Sequence, residues 1–226
     1  MSHPLFSPRP TAYIFDAYGT LFDVHSAVAR HRAAIGDQAD RLSEIWRLKQ
    51  LEYTWVRSLC GAYRDFAVLT AEALDFAAAR CGGIASALRA DLIAAYQCLD
   101  AYPEVRHTLG ELKGKGARLA ILSNGTQAML QDAIASAGLA DLFEAVLSVD
   151  DIGIFKTAPQ AYALVASHMG VAPDAVSFQS SNRWDVAGAA RFGFRAVWIN
   201  RSGLPDEYLD LAPVAQIASL EGLLNL

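Results

Sequence analysis

What most constrains this chain is a unit that recurs along it, a short apolar run that stops at a polar, turn-forming cluster. Tyr13-Ile14-Phe15 stops at Asp16, with Gly19 just beyond. Arg118 to Leu122 halts at Ser123-Asn124-Gly125, Ala145 to Val149 at Asp150-Asp151, and Val176 to Phe178 runs out at Ser180-Ser181-Asn182. A further run, Arg195 to Ile199, ends at Asn200. Runs this short and this apolar, bounded by turn formers, read as strands buried on both faces. Between them the pattern predicts helices over Gln127 to Ala137, over Pro159 to Met169 with proline at a permitted first-turn position, and over Trp184 to Phe192. Strand alternating with helix predicts an α/β fold built on a doubly wound parallel sheet, whose ligands sit beyond the carboxyl ends of the strands. The polar clusters fall at those ends.

The rhythm breaks between Phe22 and Tyr102, where the sequence is helix-like and holds no strand-like run. This interval is expected to be an inserted helical cap domain, residues 22–102, with residues 1–21 and 103–226 forming the α/β core. Within Leu42 to Leu59, the residues Ile45, Leu48, Leu51, Trp55 and Leu59 recur at three- and four-residue steps and predict a packed helix. Arg47 lies off the face of Ile45 and shares one with Leu51.

Composition bounds the function. Hydrophobic residues make up 53% of 226 and charged ones 19%, enough apolar surface for one sizeable core. Nineteen Lys and Arg against 24 Asp and Glu leave a net charge of −5, so no basic field is available for nucleic acid or an anionic membrane. Cys60, Cys81 and Cys98 are widely spaced without a C-x-x-C pattern and are expected to be reduced thiols rather than a disulfide framework or zinc site. His25, His31, His107 and His168 show no metal-ligand spacing. The segment Met1 to Pro10 lacks an apolar signal-like stretch, and no uninterrupted apolar run is long enough to span a membrane. A cytoplasmic protein is expected. Dinucleotide, Walker-type and serine-hydrolase motifs do not occur.

Asp16-Ala17-Tyr18-Gly19-Thr20-Leu21-Phe22, Ser123-Asn124-Gly125, Lys156 and Ser180 to Asp185 together form a sequence-wide pattern that resembles the haloacid dehalogenase superfamily. Phe15 to Leu21, the stretch Trp46 to Trp55 and Ser180-Ser181-Asn182-Arg183-Trp184-Asp185 are most similar to the L-2-haloacid dehalogenases. The resemblance implies that Asp16 attacks the halogen-bearing carbon and that water then cleaves the aspartyl ester, with inversion at carbon. It implies that Lys156 keeps Asp16 ionised, Thr20 and Ser180 orient it, Asp185 helps activate water, and Asn182 belongs to the same catalytic group. Arg47 with Asn124 would cradle halide, Ser123 would meet the substrate carboxylate, and Tyr18, Leu51, Phe66 and Trp184 would wall the pocket. Leu48, beside Arg47, is expected to dry the halide side.

The superfamily's phosphatases carry an acid/base aspartate two residues past the nucleophile and further acidic residues that hold magnesium. Here Tyr18 stands in the first place, and Ser180, Ser181 and Asn182 leave only Asp185 as an anionic ligand. Halide needs no proton to leave and no metal to shield it. The expectation is therefore a hydrolase of short L-2-haloalkanoic acids with no metal and no cofactor, releasing halide and, as relatives suggest, working as a homodimer. A phosphatase-like member of the superfamily and a non-catalytic interaction protein are the alternatives. Taken singly, Asp16 could be a turn residue, Arg47 a solvated helix charge and Phe66, Leu51 and Trp184 core residues.

Overall fold

Residues 9–226 are described by the structure, a computed structural model; the expectations placed on the first eight residues lie outside them. The first strand, β1 (Ala12–Phe15), is buried along its whole length. Five helices follow: α1 (Ser26–Arg30), α2 (Arg32–Ile35), α3 (Ala39–Leu59), α4 (Phe66–Arg80) and α5 (Ser86–Gln97). The chain then alternates through α6 (Val105–Gly114), β2 (Arg118–Ser123), α7 (Gln127–Ser136), β3 (Ala145–Ser148), α8 (Pro159–Met169), β4 (Val176–Ser180), α9 (Arg183–Phe192), β5 (Arg195–Ile199) and β6 (Ala215–Ile217).

Among the described residues the sheet has six strands, all parallel, in the order β3-β2-β1-β4-β5-β6. Because successive strands are added first on one side of β1 and later on the other, a crevice opens at the carboxyl end of β1, where Asp16 stands. Register places Phe15 opposite Ile121 of β2 and Gln179 of β4, and the Asp16 N–H donates to the Gln179 carbonyl at 2.9 Å. Ser123 and Ser180 thus end on either side of Asp16. The sheet-flanking helices are terminated by their own sequence. Thr126 Oγ1 accepts from the Met129 N–H at the start of α7, Pro159 opens α8, and Gly170 and Gly193 close α8 and α9 in the left-handed conformation.

The helices between β1 and β2 stand where the break in rhythm predicts them. The face that α3 buries differs from the expected one. Ala39, Leu42, Ser43, Trp46, Gln50 and Thr54 point inward, whereas Leu48 is 58% and Leu59 89% exposed. Two residues carry the inner face: the Trp46 indole N–H donates to the Thr70 carbonyl at 2.8 Å, and buried Gln50 bonds the Thr70 hydroxyl. The apolar periodicity is real, but Leu48 and Leu59 mark an outward stripe, while Trp55 is half-buried against Trp184. Leu48 accordingly does not dry the halide side.

Candidate active site

Asp16 lies where β1 ends and is 5% exposed. Its two oxygens have different surroundings. Oδ2 accepts from Asn182 Nδ2 at 2.8 Å, Thr20 Oγ1 at 3.0 Å and Ser180 Oγ at 3.3 Å. Oδ1 accepts from Lys156 Nζ at 3.1 Å. The donors to Oδ2 are themselves held. Thr20 Oγ1 accepts from the Ser181 N–H at 2.8 Å, and Ser180 Oγ from the Asn182 N–H at 3.1 Å. The turn after β4 and the turn after β1 are thereby locked together around one carboxylate.

Lys156 reaches this point from the loop after β3. Its side chain is wholly buried between Asp16 and Asp185, with Nζ 2.9 Å from Asp185 Oδ2. Asn124 fixes the loop: its side-chain oxygen accepts from the Lys156 N–H at 3.0 Å. Burial works against the charge on Lys156, but the two carboxylates outweigh it and raise its pKa above the ordinary lysine value. Asp185, in the first turn of α9, is pushed up to about 6 by burial, with the charge of Asp16 adding and Lys156 opposing. One ammonium between two carboxylates leaves the cluster one positive charge short, and Asp185 shows the shortfall.

Arg47 comes down from α3. Its Nη2 donates to the Tyr18 carbonyl at 3.1 Å and to Asn182 Oδ1 at 3.3 Å. Since Asn182 Nδ2 also bonds Asp16, one side chain links the helical guanidinium to the strand-end carboxylate. Tyr18 is 3% exposed, stacked on Tyr96 at 5.6 Å and tilted against Phe66 at 5.6 Å. Burial, then the nearby Tyr96, pushes its phenol well above the usual value. A methyl group on Gly125 would come within 2.7 Å of the Tyr18 ring, so the glycine is what lets ring and backbone meet.

The remaining candidates fall into distinct places. Phe66, 1% exposed, starts α4 against Tyr18 and Phe155. Leu51 is half-buried on α3, one turn past Arg47. Trp184 packs edge-on against Trp55 at 5.5 Å and, with Lys156 and Phe155, lines a groove of about 850 Å³ beside the cluster. Ser123 is fully enclosed and its Oγ accepts from the Gly125 N–H at 3.1 Å, which shapes the turn that carries Asn124.

Sequence reasoning missed Tyr162. Its Oη donates to Asp185 Oδ1 at 2.8 Å, opposite the oxygen that Lys156 holds. It reads in the sequence as one more apolar position of α8. The only trace is Gly188, where an added methyl would lie 2.3 Å from the Tyr162 hydroxyl. Among the described residues no group of three or more His, Cys, Asp or Glu is arranged to hold a metal ion, and no helix is long and apolar enough to cross a membrane.

Fold and site together define an α/β protein with a buried carboxylate–ammonium–carboxylate cluster at the switch point of a parallel sheet, beneath a helical insertion. The chain belongs to the haloacid dehalogenase-like hydrolases, whose family model matches residues 10–193. It is 46% identical over 213 residues to (S)-2-haloacid dehalogenase 1 of Pseudomonas sp. strain CBS-3, covering 94% of each chain. It is also 46% identical over 219 residues to (S)-2-haloacid dehalogenase 4A of Burkholderia cepacia, covering 94% of this chain and 92% of that one. Among solved structures, the L-2-haloacid dehalogenase of Xanthobacter autotrophicus with chloropropionic acid covalently bound superposes with a TM-score of 0.87 at 39% identity, over 95% of this chain and 96% of the other.

Proposed function

We propose that this protein hydrolyses short L-2-haloalkanoic acids to 2-hydroxyalkanoic acids of inverted configuration through an ester on Asp16. The observation that carries the reading is the asymmetry of the Asp16 carboxylate. Oδ2 is engaged by three donors, while Oδ1 meets Lys156 alone and is the oxygen freer to attack. Attack from the side opposite the carbon–halogen bond expels halide and inverts the carbon. Oδ2 then becomes the ester carbonyl, already facing Asn182, Thr20 and Ser180. When water adds at the Asp16 carbonyl carbon, the charge that develops on Oδ2 is met by donors in place beforehand.

Asp185 takes the proton of that water, and Lys156, beside Oδ1, assists departure of the hydroxyl product. The product hydroxyl thus carries the former Asp16 oxygen, and the water oxygen stays in the enzyme. Arg47 supplies a guanidinium at the mouth of this centre, suited to the departing halide together with the Asn124 amide. Tyr18, Leu51, Phe66 and Trp184 form the apolar surround, and Ser123 supports the substrate carboxylate and the turn. The relatives' names, (S)-2-haloacid dehalogenase, support the substrate class and its handedness.

In this reading residues 1–21 and 103–226 make the catalytic core and residues 22–102 its cap, in a cytoplasmic enzyme. The exposed stripe of Leu48, Val56 and Leu59 on α3 supports a homodimer with a second copy over this face; light scattering of the eluting protein checks it. The activity is tested by chloride release from each enantiomer of 2-chloropropionate with a chelator present. Release from the (S) enantiomer with an (R)-hydroxy product is expected. Loss of activity to chelator, or magnesium-dependent phosphate release without halide release, contradicts the reading.

A further inference from the structure

Arg47 is the one cation that the helical insertion sends to the centre, and its side chain must arrive with its charge intact and its direction set. The structure shows an arrangement behind it that does both. Arg47 Nη1 donates to Gln50 Oε1 at 2.8 Å, one turn further along α3. Gln50 is 1% exposed. The same oxygen accepts from Tyr96 Oη on α5 at 3.1 Å, and Gln50 Nε2 donates to Thr70 Oγ1 on α4 at 2.7 Å.

The orientation of this amide follows from the proton on Thr70. The Thr70 hydroxyl donates to the Phe66 carbonyl at 2.7 Å, so toward Gln50 it can only accept. Gln50 must therefore turn its NH₂ to Thr70 and its oxygen to Arg47. Tyr96, fully enclosed and held neutral by burial, adds a second donor to that oxygen. The chain of bonds from the Phe66 carbonyl through Thr70 and Gln50 ends in a single acceptor aimed at Arg47, contributed by three helices.

The acceptor is an amide and not a carboxylate. A glutamate would orient Arg47 as well but would cancel its charge, and a cancelled guanidinium no longer attracts an anion. We propose that Gln50, with Thr70 and Tyr96, is a positioning group that holds Arg47 toward Asn182 with its positive charge unspent, and so sets the enzyme's affinity for halide. This rests on the reading of Arg47 as the halide-facing cation.

The test measures inhibition of turnover by added chloride and bromide, alongside KM, kcat and thermal midpoint. Gln50→Glu keeps the shape and neutralises Arg47. Thr70→Val keeps the shape and frees the amide to flip, and Thr70→Ser restores the hydroxyl. Gln50→Glu and Thr70→Val are expected to weaken halide inhibition by about tenfold or more, the scale of one hydrogen bond to a charge, with kcat falling more than KM rises. Thr70→Ser is expected to stay within about twofold of the parent, well inside that scale. Variants that lose thermal stability while halide inhibition is unchanged overturn the proposal and leave the network a purely structural one. An Arg47→Gln variant with unchanged halide inhibition instead overturns the reading of Arg47. Arg47→Gln weakening inhibition while Gln50→Glu does not overturns the role of Gln50 alone.

Discussion

Lys156 Nζ lies 3.1 Å from Asp16 Oδ1, the carboxylate oxygen left uncovered by the three donors that gather on Oδ2. In the proposed reaction the single ammonium therefore stands beside the oxygen that forms and later releases a bond to carbon, while neutral donors wait at the oxygen that accepts charge. The same ammonium also pairs with Asp185 at 2.9 Å. One buried cation thus serves two buried carboxylates.

Replacing Lys156 by Met removes the cation and leaves both carboxylates buried without a counter-charge, held by neutral donors alone. Activity is expected to fall by about a hundredfold or more, and stability by about 3–5 kcal/mol at neutral pH. The loss depends on pH. Asp185 already has a raised folded-state pKa of about 6, and removal of Lys156 raises it further. A carboxyl whose folded pKa is raised contributes stability at low pH that is lost as pH climbs through the folded pKa. Urea unfolding of Lys156→Met is expected to show a smaller deficit at pH 5 than at pH 8; an equal deficit at both contradicts the assignment.

Ester hydrolysis is expected to slow in acid, because a protonated Asp185 cannot accept the proton of water. In the free enzyme its pKa is about 6, partly through the charge on Asp16. Esterification abolishes that charge, so Asp185 ionises more readily at the moment it is needed. Single-turnover decay of the ester followed by intact mass is expected to rise with pH along a limb at or below about 6 and then level off. A limb well above neutrality contradicts this role.

Tyr162→Phe deletes the donor to Asp185 Oδ1 without emptying its site. A hydrogen bond to a buried charge is worth about 1.5–3 kcal/mol, so ester hydrolysis is expected to slow by about ten- to a hundredfold. Ester formation is expected to change less, which rapid-quench measurement of halide release resolves. Gly188→Ala places a methyl 2.3 Å from the same hydroxyl and is expected to produce the same pattern.

Gly125→Ala puts a methyl 2.7 Å from the Tyr18 ring, and the ring is enclosed by Tyr96 and Phe66. With nowhere cheap to move, the ring is expected to shift toward the centre and raise KM for haloacid, with kcat less affected. Steady-state kinetics on 2-chloroalkanoates of increasing chain length checks this, the effect growing with length.

Much of this was legible in the chain because strand ends announce themselves. Five apolar runs stopped at Asp16, Ser123, Asp150, Ser180 and Asn200, and each marks the carboxyl end of a strand or the residues just beyond it. The sixth strand escaped because Ala215-Gln216-Ile217 is three residues long and only partly buried, too little for a hydrophobic run to register. On α3 the apolar spacing pointed to the wrong side, since the buried face is set by Gln50, Ser43 and Thr54 as much as by Leu42 and Trp46. Polar residues that find partners inside a bundle leave no mark in hydropathy. Tyr162 was hidden for the same reason: its ring packs edge-on against Phe178 in the core while its hydroxyl alone meets the buried carboxylate–ammonium cluster.

Whether Asp16 bonds to carbon is decided most directly by where the oxygen of water goes. Enzyme in excess over (S)-2-chloropropionate is allowed one turnover in water enriched in oxygen-18, then digested, and the peptide bearing Asp16 is weighed beside the lactate formed. One heavy oxygen in the Asp16 carboxylate and none in the lactate is the predicted result. Heavy oxygen in the lactate with an unlabelled Asp16 would mean that water attacks the substrate itself, and the ester would have to be abandoned.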